Sequence, residues 1–179
     1  SDEVDLQIYY RPAVYAAGDW YFHKLVAGRF LYIFAGDVTG HGPGAALTGA
    51  FTKGVLATNF IDFGETELVD QQHLHKQLNS LLLTVGDGRT ASMTMFTAIL
   101  DLETNELRYL NSGHPSAYIT NAETNEVTML RKRNRNQLGI EPEFEPVQPG
   151  LIKLKAGDKL HVFSDGIPDV LFRTGARLG

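Results

Sequence analysis

Three aspartates are set where a carboxylate needs a reason. Asp37 follows the apolar run Phe30 to Ala35 and opens a glycine corner, Gly36-Asp37-Val38-Thr39-Gly40-His41-Gly42-Pro43-Gly44. A carboxylate at the end of a buried strand is costly unless it is solvated, paired or bound to a metal. Asp19 stands near the start of the preceding run, and Asp165 repeats the theme in Ser164-Asp165-Gly166 after Leu160-His161-Val162-Phe163. Like charges gathered in one place repel strongly without a cation. Oxygen ligands with water favour Mg²⁺ or Mn²⁺ over zinc. Two such ions about 3.5–4 Å apart, bridged by a carboxylate, can activate water against a phosphate ester with no covalent protein intermediate. The plainer alternative is that each Asp-Gly after a strand is only a turn.

The elements that must position these residues follow from periodicity. Leu6, Ile8 and Tyr10 alternate with Gln7 and Tyr9, which predicts a strand ended by Pro12. Trp20 to Val26 and Phe30 to Ala35 predict a hairpin turning at Ala27-Gly28-Arg29. That hairpin places Asp19 and Asp37 on neighbouring strands at the end away from the turn. Pro43 suits the first turn of a helix. Ala45 to Phe60 is read as that helix, with Leu47, Ala50, Phe51, Val55 and Phe60 at helical spacing. Glu67 to Leu83 predicts a second, with Leu68, Leu74, Leu78, Leu81 and Leu82 as its stripe and Gly86-Asp87-Gly88 as its stop. Short strands follow: Met93 to Leu100, Leu107 to Asn111, Ala117 to Thr120, Val127 to Leu130, Leu151 to Leu154 and Leu160 to Phe163. Segregated helices and hairpin-linked strands imply an α+β fold with antiparallel sheets, not a βαβ parallel sheet.

Bulk properties narrow the function classes. The 179 residues fit one domain, at 43% apolar and 21% charged content. No run approaches the roughly 20 apolar residues of a membrane span, and Ser1-Asp2-Glu3-Val4-Asp5 is too acidic for a signal peptide. The absence of cysteine excludes disulfides, thiolate metal sites and a cysteine nucleophile. A net charge of −5 argues against nucleic acid as a partner. The basic cluster Arg131-Lys132-Arg133-Asn134-Arg135 is read as a solvated loop.

Longer motifs add a resemblance. Tyr10-Arg11-Pro12-Ala13, Ala17-Gly18-Asp19-Trp20-Tyr21, the glycine corner through Ala46, Asn111-Ser112-Gly113-His114-Pro115, Gln137-Leu138-Gly139-Ile140 and Phe163-Ser164-Asp165-Gly166-Ile167-Pro168-Asp169 occur in order. Together they resemble the bacterial sporulation-E and sigma-regulator (RsbU-like) branch of the metal-dependent PPM serine/threonine phosphatases. The resemblance implies a two-layer antiparallel β-sandwich flanked by helices, with two Mn²⁺ or Mg²⁺ ions at one edge. It implies that Asp19 binds one ion, that Asp37 bridges both, that the Val38 carbonyl adds a ligand, and that Asp165 binds the other ion. Asp169 falls where some relatives carry an accessory acid. The resemblance further implies a phosphorylated protein substrate of the anti-sigma-antagonist type and an upstream sensor domain in a longer signalling protein. The location it implies is the cytoplasm, or the cytoplasmic part of a membrane-bound sensor. Residues 1–179 then form a single phosphatase domain, with the family's C-terminal Asp-Asp ligand falling beyond Gly179. Three positions after Asp19, where many members have an acid, stands Phe22; no arginine adjoins Asp19, and Arg11 lies eight residues earlier.

Other residues carry smaller expectations. His41 is a candidate proton donor or a brace for the glycine corner; His114 is read as bracing the fold near the site, and Trp20 as core. Gly40-His41-Gly42-Pro43-Gly44-Ala45 also fits a dinucleotide fingerprint, but the βαβ order is missing. No G-x-S-x-G elbow supports a serine hydrolase. A partner-binding module of the same fold without activity stays open as the alternative. The helix pair from Ala45 to Leu83 is a candidate regulatory or dimerising element.

Overall fold

In the computed structural model, residues 4–11, 16–62, 69–86, 91–131, 133–134 and 136–167 are described. The chain runs β1 (Asp19–Val26), β2 (Phe30–Val38), α1 (Pro43–Asp62), α2 (Gln71–Val85), β3 (Met93–Asp101), β4 (Glu106–Ser112), β5 (Tyr118–Thr120), β6 (Val127–Met129), β7 (Arg133–Asn134), β8 (Gly150–Lys153) and β9 (Lys159–His161). One sheet has the order β1-β2-β3-β4-β7, with β8 also paired to β4; a second has the order β6-β5-β9. This is the α+β class expected.

Side-chain alternation along the central strands sorts residues into two cores. Trp20, Tyr32, Phe34, Val38, Met93, Met95 and Ile99 pack with Leu56, Leu74, Leu78 and Leu82 of the helices. The intervening residues Ile33, Phe96, Ala98, Leu107 and Tyr109 pack with Ala117, Ile119, Leu130 and Leu160, which come from the second sheet and its flanks. The layers are therefore helices, large sheet, small sheet. Ala27 and Gly28 turn the β1–β2 hairpin with φ of 54° and 67°, the left-handed pair of a type I′ turn, closed by the Arg29 N–H donating to the Val26 carbonyl at 3.0 Å.

Four expectations are corrected. Residues 4–11 form no strand: Leu6, Ile8, Tyr9 and Tyr10 are all exposed, so the alternation has no core to face. The second helix begins at Gln71 rather than Glu67, because Asp70 caps it by accepting from the Gln72 N–H at 2.9 Å. Residues 67–68 and 87–88 lie outside the described residues, while Gly86 caps the helix end by donating to Leu82. The basic segment is more than a loop: Arg133–Asn134 pairs in parallel with Asn111 and Ser112, and Asn134 is buried. In α1, Leu47 and Phe51 point outward at 58% and 55% exposure. The inward face is instead Ala45, Thr52, Leu56 and Asn59, with Gly49 letting the helix close on Trp20.

Between α2 and the sheet lies a buried polar network. His75 shares 2.7 Å hydrogen bonds with Ser112 Oγ and Thr97 Oγ1, and Asn134 donates to the same Ser112 oxygen at 2.7 Å. Burial pushes the His75 imidazole down from 6.5 to about 3. The unfolded chain therefore takes up this proton first, so stability falls as pH drops below 6.5 and continues to fall toward the folded value. Urea midpoints at pH 7, 6 and 5 are expected to decline. His75→Gln is expected to flatten the decline by about 1.4 kcal/mol per pH unit relative to wild type; parallel curves would contradict this.

Candidate active site

The open end of the β1–β2 hairpin carries the acidic residues, and strand register explains why. Asp19 and Asp37 are direct partners across the pair, and such partners project to the same face with Cβ atoms about 4.5–5.5 Å apart. Both alternate with helix-side residues, Trp20 on β1 and Val38 on β2, so both face the gap between the sheets. Trp20 is buried core, its indole N–H donating to Met93 Sδ at 3.2 Å.

Asp165 reaches the same region from the turn after β9. It is exposed, yet its charge acts on both partners. Burial raises the Asp19 carboxyl, the Ser164 hydroxyl pulls it back, and the Asp165 charge adds to the rise. Asp37 is pushed up to about 6, first by burial and then by the charges of Asp19 and Asp165. Among the described residues, however, no group of three or more His, Cys, Asp or Glu side chains has metal-ligating spacing. The tight part of the site is the Asp19–Asp37 pair.

That pair fits a hard cation. Asp19 Oδ1 is buried without a hydrogen-bond partner, which costs about 1–3 kcal/mol. Gly18 brings the backbone against the site: a Cβ there would overlap the Val38 carbonyl oxygen and lie 3.0 Å from Asp37 Oδ1. The Val38 N–H donates to the Gly18 carbonyl at 3.2 Å. Two carboxylates and a main-chain carbonyl are an oxygen donor set of the type that Mg²⁺ and Mn²⁺ take.

The remaining expected residues divide. His41 is exposed between Gly40 and Gly42, whose φ values are 97° and 85°. It has no hydrogen bond to another described residue; backbone bonds hold the corner, from Gly42 N–H to Ala16 and from Ala46 N–H to Gly42, each 3.1 Å. His114 is buried, and the Asn111 side chain holds its backbone in the turn after β4. Asp169 lies outside the described residues. Two neighbours were missed by sequence reasoning: Thr94, the other register partner of Asp37, and Ser164. Aligning β3 against the hairpin would have found Thr94, but register is not written in a single strand.

This fold matches those of solved PP2C-type phosphatase domains. The SiaA PP2C domain of Pseudomonas aeruginosa superposes with a TM-score of 0.75 at 19% identity, over 92% of this chain and 62% of that one. The RsbU and RsbW domains of a Mycobacterium tuberculosis protein give 0.74 at 21% identity, over 91% and 43%. The PP2C domain of Bacillus subtilis SpoIIE, solved with a fragment of its regulatory domain, gives 0.67 at 25% identity, over 86% and 43%. Residues 28–179 match the family described as Stage II sporulation protein E (SpoIIE), and the chain belongs to that family. Protein IcfG of Synechocystis is 23% identical across 89% of this chain, which spans 28% of that relative's length.

Proposed function

We propose that this chain is a metal-dependent protein phosphatase that hydrolyses phosphoserine or phosphothreonine on a regulatory protein. The observation that carries the reading is the opposition of Asp19 and Asp37 at one register position, with a buried Asp19 oxygen left unpaired. Asp19, Asp37, the Val38 carbonyl and Asp165 would hold two Mn²⁺ or Mg²⁺ ions; a relative of the same fold, RsbX, was solved with magnesium. When bound, such ions activate water and neutralise charge on the transferring phosphoryl oxygens.

The chain's own residues supply the rest. Asp37, held by strands on both sides, fixes the centre of the site. Gly18 keeps the space beside the Val38 carbonyl open. His41, exposed on the corner, would give a proton to a leaving serine or threonine oxygen. An exposed phosphorylated segment suits such an edge site. The relatives' pairing of RsbU with RsbW domains supports an anti-sigma-antagonist type of substrate. No described helix is long and apolar enough to cross a membrane.

Manganese-dependent hydrolysis of a chromogenic phosphate ester by the full-length protein, lost in Asp37→Ala, tests the reading. No turnover together with no metal binding would favour a partner-binding module of the same fold. The outward pair Leu47 and Phe51, beside a groove of about 550 Å³ that Gln77 of α2 also lines, is where an upstream regulatory segment or a second copy would act. Phe51→Ser is expected to alter regulation or oligomeric state in the full-length protein while basal ester hydrolysis stays within about twofold, since surface changes remote from special features shift stability by only about 0.5 kcal/mol. Unchanged regulation and mass by light scattering would remove that role.

A further inference from the structure

Three buried side-chain atoms among the described residues lack a hydrogen-bond partner: Asp19 Oδ1, His114 Nε2 and Gln71 Oε1. The first two belong to the same end of the large sheet, and the register connects them. Thr94 on β3 is the direct partner of Asp37. It stands two and four residues before Phe96 and Ala98, which lie in the inter-sheet core, and residues at that spacing share a face, so Thr94 faces the gap in line with Asp19 and Asp37. Its hydroxyl shares a 2.8 Å hydrogen bond with His114 Nδ1.

His114 follows β4 and is 1% exposed. Asn111 clamps it in both directions: the His114 N–H donates to Asn111 Oδ1 at 2.8 Å, and its carbonyl accepts from Asn111 Nδ2 at 2.9 Å. Burial keeps the imidazole neutral by lowering its pKa to about 4. A neutral ring with Nδ1 engaged offers one further hydrogen bond, at Nε2, and no charge. A fold brace needs only the Nδ1 and backbone bonds. The spare nitrogen, buried and without a partner on a ring held at Nδ1, is a place for a small oxygen ligand.

We propose that His114 is a positioning residue of the phosphatase site: with Thr94 it extends the Asp19–Asp37 row by one strand, and its Nε2 hydrogen-bonds an oxygen, of water or of a phosphate group, held beside Asp37. This rests on the phosphatase reading and adds to it a neutral arm that orients without competing for cations.

Titrating the full chain with Mg²⁺ and then inorganic phosphate, while following the His114 imidazole by ¹⁵N NMR, tests the assignment. A shift of Nε2 on Mg²⁺ alone identifies water; a shift only after phosphate identifies the phosphate oxygen. His114→Asn retains a hydrogen-bonding group near the Nδ1 position and removes the Nε2 end. Calorimetry is expected to show its affinity for Mn²⁺, or for phosphate in the presence of Mn²⁺, reduced about 10-fold per folded molecule, with partial recovery in His114→Gln. A silent Nε2 in wild type overturns the inference even where the variants fail to fold. Wild-type affinities in a folded His114→Asn also overturn it. Wild-type protein that binds no metal removes the phosphatase reading and this one together, whereas metal binding lost in Asp37→Asn with both metal and phosphate binding kept in His114→Asn removes this one alone.

Discussion

Asp37→Asn is expected to abolish manganese-dependent ester hydrolysis while making the metal-free protein more stable. The two effects have one cause. In the absence of cations the folded chain holds Asp37 against Asp19, its register partner, and within the field of Asp165, which together with burial raises its carboxyl from 3.8 to about 6. A carboxyl whose folded pKa is raised binds more protons folded than unfolded between those values. Its ionised form therefore costs stability at neutral pH, and the cost disappears as pH falls through 6 toward 3.8. Unscreened, the shift corresponds to about 3 kcal/mol; a group this open to solvent retains about 1 kcal/mol of that. For a chain of this size the asparagine variant should melt about 2–4 °C higher at pH 7 and level with wild type near pH 4. Turnover should fall more than ~100-fold, beyond what loss of an outer partner to a metal ligand costs. A variant that melts lower at pH 7 without metal would contradict the electrostatic account. One that keeps its turnover would contradict the assignment of Asp37.

Much of this site was legible because hairpins are local. The turn at Ala27-Gly28 fixes the register from Val26↔Phe30 outward to Asp19↔Asp37, so two of the acids could be paired from sequence alone. Asp165 was marked by its apolar run and sharp turn, but its place beside the pair depends on how the far end of the chain packs. Thr94 was invisible for a related reason: its place beside Asp37 depends on how β3 docks on β2, across two helices of intervening chain. The fold class was legible from element order, but the inward face of α1 was not. Apolar spacing pointed to Leu47, Ala50 and Phe51, whereas the sheet accepts the narrower face of Ala45, Gly49 and Thr52, where Trp20 fills the space against Gly49. Steric fit decided that orientation over hydrophobicity. The same limit applies to residues 4–11, whose alternation is strand-like but finds no partner, and to Asn134, whose burial follows from a parallel pairing with Ser112 that no local pattern announces.

Mn²⁺ or Mg²⁺ should raise the melting temperature of wild-type protein, reversibly on chelation and in proportion to site occupancy. A ligand that binds only the folded chain stabilises it by RT ln(1 + [L]/Kd), about 2.7 kcal/mol at one hundred times Kd, or about 5–11 °C here. The source of the gain is on the sheet: Asp19 Oδ1 is buried without a partner, Asp37 is held at a raised pKa by burial and then by like charge, and the Val38 carbonyl lies against Gly18. A divalent cation among these oxygens satisfies the orphan and reverses the repulsion at once. Protons compete for the same carboxylates, so the gain should shrink as pH falls below the raised value of about 6 for Asp37. Asp19→Asn should lose most of it while keeping the fold, because the remaining carboxylate on the hairpin then has no partner to share a cation. The same scan with Asp37→Asn separates the two terms: that variant begins higher and gains nothing on metal addition. Equal melting temperatures with and without millimolar Mn²⁺ in the wild type would show that this pair of carboxylates is a tolerated repulsion with no cation to relieve it.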